Sequence, residues 1–108
     1  MFDTTELTAV VDRFADRLRA APQSRLQRGA AAEGLALARE LALRAQRIEA
    51  QDRAPRIMPD AGPFAVADQL MVAGRDLAEA LRAAPSGSLE EVDEAVSLVR
   101  AAMGRAGL

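Results

Sequence analysis

The feature that most constrains the fold is an apolar pattern at helical spacing, interrupted by proline and glycine. In four stretches, apolar residues recur every three or four positions, which is the period of an amphipathic helix with one buried face. Between the stretches stand Pro22, the segment 55–63 with its prolines and glycine, and Pro85. Because proline is poorly tolerated inside a helix, the pattern predicts four helices separated at these points.

Capping residues and glycines refine the expected bounds. The predicted elements are helices over residues 4–20, 24–51, 63–83 and 88–105, with a loop over 52–62. Asp3 with Glu6, and Ser88 with Glu91, have the spacing of a capping box at a helix start. Each glycine inside a helix costs about 1 kcal/mol relative to alanine. We therefore expect a kink or a separate first turn between residues 28 and 34.

Four helices, each with one apolar face, must bury those faces together. Two of the three connections are short, which favours helical hairpins, the first helix with the second and the third with the fourth. The sequence therefore predicts an all-α fold: a single domain over residues 1–108, built as an up-down-up-down four-helix bundle of two helical hairpins. The alternative is a three-helix bundle with an extended linker.

The residue types that are missing limit the chemistry. The chain has no cysteine, histidine or lysine, so all fourteen basic residues are arginine. Most nucleophile–base pairs and transition-metal sites lack their reacting group, and the glycines form no phosphate-binding pattern. We expect no enzymatic activity, catalytic residue, cofactor or metal site. Abundant alanine and arginine without lysine is typical of a GC-rich bacterial genome.

The start of the chain carries acids instead of a basic, apolar leader. No long apolar segment is present, so we expect a cytoplasmic protein without a membrane span. The net charge of −2 and the scarcity of aromatic residues disfavour nucleic-acid binding. Arginines nevertheless concentrate in the second predicted helix, where a basic face would consist of Arg25, Arg28, Arg39, Arg44 and Arg47.

Two groups of residues suggest a partner surface. Apolar residues inside the proline-restrained loop, with polar residues after it, could orient a peptide or small ligand. Some hydrophobes, Leu35 and Val66 among them, also lie outside the predicted core positions. The candidate partner or ligand surface consists of Ile57, Met58, Phe64, Asp68, Gln69, Leu43, Val72 and Leu98.

These observations lead to three functional hypotheses. The first is a non-enzymatic adaptor or regulator that acts through protein–protein interaction, with a homodimer as one form of it. The second is a small-ligand-binding bundle, with a pocket near residues 52–64 and Met58, Phe64, Asp68 and Gln69 at its mouth. The third is a nucleic-acid accessory protein that uses the arginines of the second helix.

Overall fold

The computed structural model describes residues 3–50, 52–84 and 89–108, and these residues form an all-α four-helix bundle. The fold class predicted from the sequence is thus confirmed. The elements are α1 (Thr5–Ala20), α2 (Gln23–Arg25), a π-helical turn (Leu26–Ala30), α3 (Ala31–Glu49), α4 (Val66–Ala83) and α5 (Leu89–Ala106). The four long helices α1, α3, α4 and α5 bury one common apolar core.

Side-chain contacts near both ends of the helices establish their directions. The start of α1 contacts the end of α4 through Thr4 and Arg82, and the end of α1 contacts the start of α4 through Arg19 and Asp68, so these helices are antiparallel. Helices α3 and α5 are antiparallel in the same way, through Glu33–Arg105 and Arg44–Glu94. In contrast, α3 and α4 are parallel. Gly34 and Val66 meet near their starts, and Ile48 and Leu77 line one groove near their ends. The helices α1, α3, α4 and α5 therefore run up, down, down and up.

This order corrects the predicted up-down-up-down arrangement. Sixteen residues separate Glu49 from Val66, and the described ones among them (50 and 52–65) run back along the bundle, so that α4 starts at the same end as α3. An extended segment of that size spans up to about 50 Å, whereas the 19 residues of α3 rise only about 29 Å. The short-loop argument for antiparallel neighbours does not apply to so long a connection. We call residues 50–65 the crossover.

The crossover also changes which helices are neighbours. Both α4 and α5 pack against α1 and α3, whereas α4 and α5 make little contact with each other. The helices of each pair that the sequence predicted to pack as a hairpin, α1 with α3 and α4 with α5, therefore lie across the bundle from each other. The most extensive interface joins α3 to α4.

The predicted irregularity in the second helix is confirmed and lies at Gly29. There the backbone has φ +143°, a conformation open to glycine but not to residues with a side chain. Gly29 lies within the π-helical turn that joins α2 to α3. Gly34 has a different role: a Cβ at this position would lie 2.7 Å from Cγ1 of Val66. Its missing side chain lets α3 and α4 approach closely.

The starts of the other helices follow the sequence in part. At α1, Asp3 accepts a hydrogen bond from the backbone N–H of Thr5 (2.8 Å), whereas Glu6 accepts one from Arg100 (3.0 Å). Helix α4 begins at Val66 and not at Pro63, because a turn with positive φ at Gly62 comes first. The predicted cap Ser88 lies outside the described residues.

Two residues expected outside the core are buried. Leu35 is 7% exposed and Val66 is 2% exposed. Both border a groove that Leu26 of the π-helical turn and Pro63 of the crossover also line. The π-helical turn and the crossover therefore pack beside these two side chains. The apolar period of a single helix cannot predict burial by such irregular segments.

Candidate functional site

The crossover is attached to α3 by side chains from one face of that helix. Gln46 bonds the backbone of Arg56 twice, by accepting from its N–H (2.7 Å) and donating to its C=O (2.9 Å). Seven residues earlier, the Nε of Arg39 donates to the C=O of Met58 (2.8 Å). These bonds replace the helix or sheet partners that an irregular backbone lacks. They hold the crossover in one position along α3.

On its other side the crossover is attached to α4. Gln69 donates from Nε2 to the C=O of Pro59 (3.0 Å). Just beyond, the carboxylate of Asp60 accepts from the N–H of Gly62 (2.9 Å), which stabilises the turn into α4. The crossover is thus held on both sides by side chains that bond its backbone, and most of its own side chains are exposed.

Most of the large exposed hydrophobic side chains of the described chain lie on or beside the crossover. Ile57 is 79% exposed, Phe64 73% and Val72 58%. Val72 shares a face of α4 with Gln69, which bonds the crossover, and with Asp76, which lines a groove together with Ile57. Ile57 and Phe64 belong to the crossover and Val72 to α4; we call these three exposed side chains together the crossover face.

A shallow groove runs beside this face. It lies between α3, the crossover and α4 and has a volume of about 400 Å³. Met58 is half-buried against the core at its base, and charged residues of both signs border it, among them Arg56, Glu49 and Asp76. An apolar surface that is bordered by positively and negatively charged side chains can bind another surface of the same composition.

The residues predicted for a partner surface are only partly brought together. Met58 and Gln69 lie at the crossover beside the crossover face. Asp68 instead accepts a hydrogen bond from Arg19 of α1 (2.7 Å), which raises the pKa of that guanidinium. Leu43 and Leu98 are half-buried on α3 and α5. Since neither Phe64 nor Asp68 lines the groove, the four residues predicted at a pocket mouth do not surround it.

The five arginines of the predicted basic face do not form one surface. Arg39 is used by the crossover, and Arg44 pairs with Glu94 across the helix interface (2.8 Å). Arg47 lines a groove beside the acids at the start of α5. Arg25 and Arg28 lie at the other end of the bundle, around the π-helical turn.

Gln69 was among the predicted site residues, but sequence reasoning missed the role of the two α3 residues that hold the crossover. Arg39 was assigned to a basic face, and Gln46 was not singled out. The one available signal is their spacing of seven, which puts two long polar side chains on the same face of α3. That face was expected to meet solvent, because the crossover was expected to be a loop at the end of the bundle.

Comparison with protein-family models, curated proteins and solved structures found nothing that matches this chain. Across the described residues, no helix combines the length and apolar composition needed to cross a membrane. In the same part of the chain, no three acidic side chains converge into a group that could hold a metal ion. The surface geometry is therefore the basis for a functional proposal.

Proposed function

We propose that the protein is a non-enzymatic interaction module and that its crossover face binds protein, in the first instance a second copy of the same chain. The observation that carries this proposal is the exposure of Ile57, Phe64 and Val72 on the crossover and α4, with Ile57 lining the groove between α3, the crossover and α4. Apolar patches on soluble proteins commonly mark binding surfaces. The bonds from α3 and α4 to the crossover support it further, because a surface that is already ordered loses little entropy on binding.

A second copy is a suitable partner because the groove combines apolar side chains with charges of both signs. A two-fold axis that passes through the groove between Arg56 and Asp76 would place Ile57 of the two copies near each other. The same axis would bring Arg56 of each copy toward Asp76 of its partner. Burying one exposed large side chain contributes about 1.5–3 kcal/mol. Six such side chains contribute about 9–18 kcal/mol, which is of the same size as the association cost of roughly 4–15 kcal/mol that a dimer must offset.

Sedimentation velocity over a wide range of protein concentration tests this proposal. We expect the wild-type sedimentation coefficient to rise from the monomer to the dimer value. Ile57→Asp and Val72→Asp should remain monomeric, because each places a charge in the apolar centre. Leu89→Asp is the matched control: Leu89 is 57% exposed, almost the same as Val72, but lies at the start of α5.

Three results would contradict the proposal in whole or in part. A wild-type protein that is monomeric at every concentration would exclude the second copy as partner. If wild type and Ile57→Asp then retrieved the same proteins after cross-linking in a cell extract, the crossover face would have no binding role. An equal loss of dimer in Leu89→Asp would place the interface elsewhere.

A further inference from the structure

Three arginine side chains surround one cavity at the end of the bundle where α5 terminates. Arg25 and Arg28 come from α2 and the π-helical turn, and Arg105 comes from the last turn of α5. The cavity has a volume of about 370 Å³, and among the described residues that line it Glu33 is the one acid. The side chains of this cavity therefore carry a net charge of +2.

Two of the three guanidinium groups are oriented by bonds within the protein. Nε of Arg105 lies 3.0 Å from the carboxylate of Glu33, and Nη1 of Arg25 donates to the C=O of Gly107 (2.7 Å). A guanidinium has five N–H donors, so these bonds leave other donors available. Arg28 is exposed and has no hydrogen-bond or ion-pair partner in the described part of the chain.

The backbone beside the arginines is also accessible. Gly29 lines the cavity, and a Cβ added to it would have no atom within 4 Å. The positive φ of Gly29 permits no ordinary side chain at this point. A ligand can therefore approach the backbone of the π-helical turn while the arginines contact it from the sides.

We infer that this cavity binds a small molecule that carries a phosphate monoester. A phosphate monoester has nearly two negative charges near neutral pH, which matches the net charge of the lining side chains. Arginine binds phosphate oxygens through paired N–H donors, and three guanidinium groups supply more donors than a single carboxylate can accept. The cavity volume also leaves room for a small organic group beside the phosphate. This site is separate from the crossover face and does not depend on the proposed dimer.

An NMR titration of the ¹⁵N-labelled protein with inorganic phosphate and with glycerol phosphate tests the inference, with ionic strength held constant by sodium chloride. We expect saturable shifts of the backbone amides of Gly29, Ala30 and Gly107. Arg28→Gln should weaken binding at least about tenfold, as the loss of one charge-assisted hydrogen bond predicts. Arg28→Lys should keep part of the affinity, because it retains the charge. Arg75→Gln is the matched control, since Arg75 is an exposed arginine on α4.

Three outcomes would overturn the inference. Sodium chloride alone could produce the same shifts, which would indicate general screening of charge. Arg28→Gln could bind phosphate as tightly as the wild type, or acetate could bind more tightly than phosphate. Because Arg28 is exposed and unpaired in the described residues, its substitution leaves the core intact, so lost binding would report on the site.

Discussion

Replacing Gly74 by alanine tests how closely α1 and α4 approach. A Cβ at position 74 would lie 2.8 Å from Cγ1 of Val11, 3.0 Å from its Cγ2 and 3.2 Å from its Cβ. Val11 is 1% exposed, and a β-branched side chain in a helix has one strongly preferred rotamer. The valine cannot rotate away, so the two helices must separate to admit the methyl group.

The size of the effect follows from two opposing terms. Removing a glycine from a helix interior stabilises it by about 1 kcal/mol. Overpacking a well-filled core typically costs about 1–3 kcal/mol. We therefore expect Gly74→Ala to lower the free energy of unfolding by roughly 1 kcal/mol. Gly104 is the matched control, because it lies in α5, is exposed and would place its Cβ in open space. Gly104→Ala should raise the free energy of unfolding by about 0.5–1 kcal/mol.

Urea unfolding followed by circular dichroism, at one protein concentration, measures both variants. Adding Val11→Ala to Gly74→Ala should make the double variant more stable than the sum of the single changes predicts, since the missing valine methyls leave room for the new one. If Gly74→Ala stabilised the protein as much as Gly104→Ala does, the close approach of α1 and α4 would be wrong.

Three further predictions concern the irregular segments and the start of α1. Gly29→Ala should lower the free energy of unfolding by about 1–2 kcal/mol, measured by the same urea assay, because φ +143° is closed to alanine. Arg39→Met should speed amide hydrogen exchange at Met58 and its neighbours while exchange in the core stays slow, because it removes the bond to the crossover. Hydrogen bonds from the hydroxyl and N–H of Thr5 lower the pKa of Asp3, so its stabilising effect is present above the unfolded-state pKa and is lost as pH falls through the folded-state pKa. An NMR titration should give Asp3 a lower midpoint in the folded protein than in urea.

The sequence predicted those parts of the fold that depend on one helix at a time. The apolar period of α1 predicts that Leu7, Val11, Phe14 and Leu18 share one buried face, and all four are buried. The cost of glycine in a helix predicted an irregularity between residues 28 and 34, and the structure has it at Gly29. These features are decided within a few residues of the chain, so the local pattern contains the necessary information.

Helix directions and the site were less accessible to sequence reasoning. The apolar pattern does not determine whether residues 50–65 turn at the end of the bundle or return along it, because a segment of that length can take either path. That choice decides whether Val66 is buried and whether Arg39 and Gln46 meet solvent or backbone. Ile57 and Met58 were identified because apolar residues between prolines are unusual in a loop. Which of the two is exposed (Ile57) and which is half-buried (Met58) depends on tertiary contacts that the sequence pattern does not contain.

The crossover also bears on the order in which the chain folds. Gly34 and Val66 are neighbours in space but 32 positions apart in sequence, so the most extensive helix interface closes a long loop. Closing a loop of about 30 residues costs roughly 1.5 kcal/mol more in chain entropy than closing a five-residue hairpin loop. We expect α3 and α4 to dock late, and the bundle to fold more slowly than an up-down bundle of the same size.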